Sequence, residues 1–391
     1  MKRPPGGQAG RPAAVRVLAA AGVAGLLLLL AGALADPRQA AFSYLTAYAY
    51  VLTLALGALF FLMIQRAIGA TWSIVLRRIA ERVAGALPLL TALFIPVLLA
   101  WPRLFPWLDD AAPQAAGPEA AYLAPSLAAL RAAAYFAVWN AAAALLLRWS
   151  LRQDAGGPAP AALARRQRIL AAAGLPAVAF AFTFAAFDWL MSLTPGWAST
   201  IFGVYLYAGA MVGFLSLLSL LALRLERQGP LAGIITVSHY HALGKLLFTF
   251  LVFWAYAAFA QLLLIWIADL PREATWFVTR SAGSWAAVSA LLVAGHFLAP
   301  FFALLSRELK RRPAALAAAG AWLLAMHYVD VYWIVMPALH PAGIRPHWLD
   351  AAALAGLAGS TAAFAFRRAR GAPAVARGDP EYRRSLGFST S

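Results

Sequence analysis

The sequence predicts an all-α polytopic membrane protein of about ten transmembrane helices, and three observations carry that expectation. Its residues are 63% hydrophobic and 12% charged, with a mean hydropathy of +0.73, whereas an average soluble domain carries about 25% charged residues. Apolar stretches recur along the chain, each long enough at about 1.5 Å per residue to cross a hydrocarbon core of about 30 Å. The basic residues fall in alternate loops, as a multi-pass topology requires.

Read in order, the spans lie near 15–35, 41–64, 83–101, 127–147, 168–193, 199–223, 243–268, 284–305, 314–338 and 349–366. The first carries Pro, Gly and Arg before a very long apolar run and no convincing A-x-A exit, so it is expected to be a retained helix. Loops are short except for an outer loop, 102–126, whose Asp109, Asp110 and Glu119 offer either a docking surface for a periplasmic partner or plain solvated charge. The inner loop 148–168 and the tail 367–391 are Arg-rich, and their expected role is topology and contact with anionic lipid headgroups. No short internal repeat is evident.

The net charge of +17 would suit a nucleic-acid partner if it were gathered on one face, but it is dispersed. Twenty-five Lys and Arg residues fall on one side, against six on the other: Arg38, Arg103, Arg131, Arg272, Arg280 and Arg345. Lys245 stands inside a span. The positive-inside rule then places both termini in the cytoplasm of a cell whose inner membrane holds the chain. The absence of cysteine excludes thiolate iron–sulfur ligation, haem attached through C-x-x-C-H and disulfides. A haem held by two histidines would need both mid-membrane residues, His296 and His327, so no haem and no metal is expected.

Charge near the bilayer centre costs roughly 2.5–3.5 kcal/mol, so each intramembrane charge calls for a partner, water or a function. Five positions qualify: Asp188 in the fifth span, Lys245 in the seventh, His296 in the eighth, and His327 and Asp330 in the ninth. His327 and Asp330, three residues apart, share a helix face. Lys245, Thr249 and Tyr256 form a second stripe, and Ser289 with His296 a third; facing one another, the three would compose a polar track. Each residue also has a plainer reading. Lys245 can snorkel, His296 can be a packing residue bonded to backbone, and Asp188 is close enough to the outer surface to be solvated. Gly209 and Gly213 form a G-x-x-x-G that permits close helix approach, which is packing and not chemistry. Gln261 and Trp266 are candidates to contact a quinone ring.

The runs FDWLMSLTPGWASTIFGVYLYAG (187–209), HYHALGKLLFTFLVFWAYAAFAQLLLIWIADLP (239–271), GSWAAVSALLVAGHFLAPFFALLSRELKR (283–311) and HYVDVYWIVMP (327–337) resemble the ActF-type membrane subunit of bacterial alternative complex III, a quinol:electron-acceptor oxidoreductase. The resemblance covers roughly 180–340; the amino-terminal half matches mainly in span count and length. It implies an NrfD/PsrC-like fold of two four-helix bundles, 41–193 and 199–338, with peripheral helices at 15–35 and 349–366. It also implies partners: a paralogous NrfD-like quinol subunit, an iron–sulfur protein, haem c subunits and small membrane subunits. The implied role is a subunit without its own redox centre that contributes a proton path or a quinone contact, with Asp188, Lys245, His296, His327 and Asp330 as the carriers. Two alternatives stand beside it: a proton-coupled secondary transporter, and a structural scaffold in the same complex. Pro176 and Pro300 do not occupy matched positions of inverted repeats, as broken transporter helices would.

Overall fold

The computed structural model describes residues 10–105, 122, 124–156, 160–368 and 373–390; Asp109, Asp110 and Glu119 of the outer loop lie outside the described residues. Among those described there is no strand, and ten helical segments are long and apolar enough to cross a membrane. They are Ala13–Ala35, Pro37–Ala67, Arg77–Leu99, Pro125–Asp154, Pro160–Leu193, Phe202–Arg227, Val237–Ala268, Gly283–Leu305, Pro313–Ala338 and Trp348–Arg368, here called the first to the tenth span. Most run beyond the apolar stretch that marks them, because a helix ends at caps and prolines and not where its hydrophobic run ends. Asp36 caps the second span by accepting from the Gln39 N–H, with Pro37 at its first position. Thr236 and His239 form a reciprocal cap on the seventh.

Two spans are irregular, and proline explains both. The third is three short helices, Arg77–Ala84, Leu87–Ala92 and Ile95–Leu99, followed by a fourth, Trp101–Leu104, and the last three each open on a proline at the first or second position. The eighth contains a π-helical stretch, Leu292–Leu298, just before Pro300. Pro300 has no N–H to give to the carbonyl of His296 four residues earlier, and a wider turn relieves the clash. The indole of Trp322 donates to the Gly295 carbonyl within that stretch (2.7 Å).

The second and sixth spans are the most buried and pack on each other, with the ninth against both. Close approach comes from small residues. A Cβ at Gly57 would lie 2.4 Å from the Ala210 carbonyl oxygen, and one at Gly320 would lie 2.3 Å from the Ser219 hydroxyl. The first and tenth spans pair in the same way, through Gly22 and Gly25 against Gly356 and Gly359.

At the end of the bundle where most arginines gather, the tail does something its composition did not suggest. Residues 373–390 fold back across the helix ends. Asp379, 4% exposed, pairs with Arg66 (2.5 Å) and with Arg77, while Arg78 pairs with Glu81 (2.5 Å) and Asp154. The Gly378 N–H donates to Asp154 (2.8 Å), the His239 ring donates to the Ser385 carbonyl (3.0 Å), and the Thr390 N–H donates to the Ser238 hydroxyl (3.1 Å). The tail keeps Arg377, Arg383 and Arg384 exposed. Its one buried carboxylate neutralises arginines of the second and third spans, since a buried guanidinium needs a partner.

Candidate functional site

The ninth span turns His327 and Asp330 to one face, as their spacing requires, and that face meets the sixth span at its glycines. A Cβ at Gly213 would lie 2.6 Å from His327 Cδ2. One at Gly209 would lie 3.3 Å from His327 Cε1 and 3.5 Å from an Asp330 oxygen. The G-x-x-x-G is therefore packing, as expected, and it is also the floor on which both ionisable side chains rest.

Asp330 is 1% exposed, and both of its oxygens are occupied. The Tyr205 hydroxyl donates to one, and the Trp254 indole N–H to the other (3.1 Å). No cation lies within salt-bridge distance of it among the described residues. Trp254 also stacks on His296, ring centroids 4.0 Å apart and planes 22° from parallel, so one indole joins the seventh, eighth and ninth spans.

The hydrogen bonds define the tautomer of His327. Its Nε2 lies 2.9 Å from the Thr53 hydroxyl, and that hydroxyl's single hydrogen is given to the Tyr50 carbonyl (2.7 Å). Nε2 must then be the donor, which leaves Nδ1 a bare acceptor facing no partner. Among the described residues, both nitrogens of His296 are likewise buried without a partner. Asp330, held by two neutral donors, thus shares a helix face with His327 and is linked through Trp254 to His296.

The other expected residues fall elsewhere. Lys245, Thr249 and Tyr256 do share a stripe, but it is the exposed face of the seventh span; the buried face carries Leu247, Leu251, Trp254, Ala257 and Gln261. The anticipated three-stripe track therefore loses Lys245, Thr249 and Tyr256. Thr249 bonds only the Lys245 carbonyl on its own helix (3.0 Å). Ser289 is not in contact with His296. It donates to the Arg280 carbonyl (2.7 Å) and accepts from the Trp333 indole (2.8 Å). Gln261 is buried and accepts from Ser199 (3.0 Å), whereas Trp266 is exposed.

Asp188 sits in a different setting, near the other end of the bundle from the tail. Arg131 binds both its oxygens (2.9 and 3.1 Å), and the hydroxyls of Tyr122 and Tyr135 donate to it (2.7 and 2.9 Å). The reading of a solvated Asp188 is corrected: it is 6% exposed and closed by an ion pair. Burial first, then the bond to Asp188, pushes the Tyr122 hydroxyl up to about 12, so Tyr122 is a neutral donor.

Several residues that build the site escaped the sequence. Thr53 and Tyr50 come from the amino-terminal half, where a Tyr- and Thr-rich run, YLTAYAYVLT (44–53), was the only signal. Arg280, placed in an outer loop by charge counting, is 3% exposed. Its guanidinium donates to the carbonyls of Trp276, Trp333 and Ile334 (2.8–3.1 Å) and lies 3.6 Å over the Trp276 ring. It is a cation fixed at the carboxyl end of the ninth span, where a helix dipole favours positive charge, and its charge acts on Tyr205. No set of three or more His, Cys, Asp or Glu side chains arranged to hold a metal occurs among the described residues. No protein family matches the chain, and a comparison with curated proteins finds no significant relative.

Proposed function

We propose that the chain is a membrane subunit without a redox centre that conducts protons within an alternative complex III-type quinol:electron-acceptor oxidoreductase, in a bacterial inner membrane with both termini cytoplasmic. The family part of this reading rests on the residue runs between 187 and 337. The proton part rests on one observation: Asp330 is buried in a span with no cation within salt-bridge distance among the described residues, on one helix face with His327, whose Nδ1 is open. A carboxylate kept for packing alone is expected to be ion-paired, as Asp188 is.

The chemistry follows from the contacts. A proton on Asp330 can pass to or from the Tyr205 hydroxyl along their hydrogen bond, and Tyr205 lies towards Arg280 and the end of the bundle away from the tail. On the other side, His327 Nδ1 is an acceptor with no competing donor, and Thr53 fixes the ring so that Nδ1 stays the free atom. His296 continues the row behind Trp254. The path we propose is His296, His327, Asp330 and Tyr205, with Arg280 repelling cations at one end. Lys245 and Asp188, both expected carriers, are left out: one faces away from the bundle and the other is already neutralised. The partners are the quinol, iron–sulfur and haem subunits that the resemblance implies.

Asp330→Asn tests this. The amide can donate to Tyr205 and accept from Trp254, so the fold is kept while the titratable group is lost. The complex should assemble and oxidise quinol with fewer protons moved per electron. Normal proton movement removes Asp330 from the path. Failed assembly favours the scaffold reading, and a chain that purifies without haem and iron–sulfur partners favours the transporter.

A further inference from the structure

Where the tail folds back, two groups of basic residues sit at the same end of the bundle and are handled differently. Arg66, Arg77 and Arg78 have Glu81, Asp154 and Asp379 against them. Lys245, Arg307, Lys310 and Arg311 have no carboxylate within salt-bridge distance among the described residues, yet all four are close enough for their charges to act on His241.

Lys310 is built into place. Its stem lies on Gly244, where a Cβ would come within 2.8 Å of it, and its ammonium donates to the Leu304 carbonyl (2.7 Å) and stands 5.3 Å from the Phe248 ring. Burial, and then the charge of Lys245, lower it from the ordinary lysine value. Lys245 and Arg307 are exposed, and Arg311 is half-buried. On the two spans that carry or lead into these cations, Val252, seven residues along from Lys245, and Phe302 and Leu305, just before Arg307, are apolar and exposed.

We infer that this cluster is a binding site for one anionic phospholipid, its phosphodiester between Lys245, Lys310, Arg307 and Arg311 and its acyl chains along Val252, Phe302 and Leu305. Charge complementarity selects the occupant. Like charges drawn together at a membrane surface need an anion, and an apolar face continuing into the bilayer suits acyl chains. The site does not depend on the proton path. It accounts for Lys245, which the sequence marked as chemically important and the fold turned outward.

The test uses the full chain in detergent micelles. Native mass spectrometry counts retained phosphatidylglycerol against phosphatidylcholine of identical acyl chains, for the unaltered chain and for Lys245→Gln/Arg307→Gln/Arg311→Gln. Lys310 is left in place because its stem is packed. Preferential retention of phosphatidylglycerol, weakened on the order of a hundredfold by the triple change, is expected from the loss of three near-surface charges. The exposed pair Arg165→Gln/Arg166→Gln should leave it unchanged. If the triple variant melts abnormally, Lys245→Gln alone decides the matter, with roughly a fivefold loss expected. Equal retention of the two lipids, no loss in the variants, or an equal loss in the control pair would overturn the site. Displacement of the lipid by millimolar inorganic phosphate would also overturn it, by showing a phosphate site indifferent to acyl chains.

Discussion

Asp188 and Asp330 are both buried carboxylates in membrane spans, and the protein treats them in opposite ways. Asp188 is bound by both arms of Arg131 and by two tyrosines, so its charge is cancelled and its acceptors are filled. Asp330 receives one tyrosine and one indole, both neutral, and no cation among the described residues. Burial disfavours a charged carboxylate while donors favour it, and a cation tips that balance decisively. Asp330 has no such cation within salt-bridge distance among the described residues. The contrast teaches that depth in the membrane does not by itself mark a working residue; the partner does. The sequence could rank the two aspartates by depth, but Arg131 and Tyr205 are 57 and 125 residues away from them.

The contrast can be broken most severely at Arg131. Arg131→Met keeps the bulk but leaves Asp188 buried and unpaired, which should lower stability by about 3–5 kcal/mol in a micellar unfolding titration. Adding Asp188→Asn should restore most of the loss. If the single change is neutral, the ion pair is not what closes that end of the bundle.

Trp254→Phe probes the other aspartate by removing one donor while keeping a ring against His296. Leaving one Asp330 oxygen unsatisfied should cost about 1–3 kcal/mol. A loss above that range would mean the indole's role is packing. Thr53→Val is milder, at about 1 kcal/mol for one net hydrogen bond. Its sharper signature is in the ring: with no hydroxyl on Nε2, His327 should show a mixture of neutral tautomers by 15N NMR, and an unchanged single tautomer would contradict the assignment made here. Asp330→Asn should have the smallest effect on stability, about 1 kcal/mol or less, because the amide keeps one hydrogen bond to each neighbour, accepting from Trp254 and donating to the Tyr205 oxygen. If it destabilises the chain as much as Arg131→Met does, the two aspartates are alike after all.

Much of the fold was legible because the bilayer imposes it. Apolar length sets the spans, and all ten appear among the described residues where hydropathy placed them. The pairing of His327 with Asp330 on one face was also legible, since helical spacing is local. What the sequence could not decide was which face of a span turns inward. In water an amphipathic stripe settles that, but lipid is as apolar as a protein core, and the seventh span carries polar residues on both its exposed face, at Lys245 and Thr249, and its buried face, at Gln261. Lys245 and Trp254 lie on that same helix, and only its packing against the sixth and ninth spans turned Trp254 to Asp330 and left Lys245 outside. Distant pairings were hidden for the same reason. Thr53 meets His327 across 274 positions, and Asp379 meets Arg77 across 302, because glycines and folded-back loops bring them together. Composition and spacing alone determined that this chain crosses a membrane and carries ionisable groups within it; which of those groups are neutralised and which are left open was decided by tertiary packing, since a partner's charge acts through space and not along the chain.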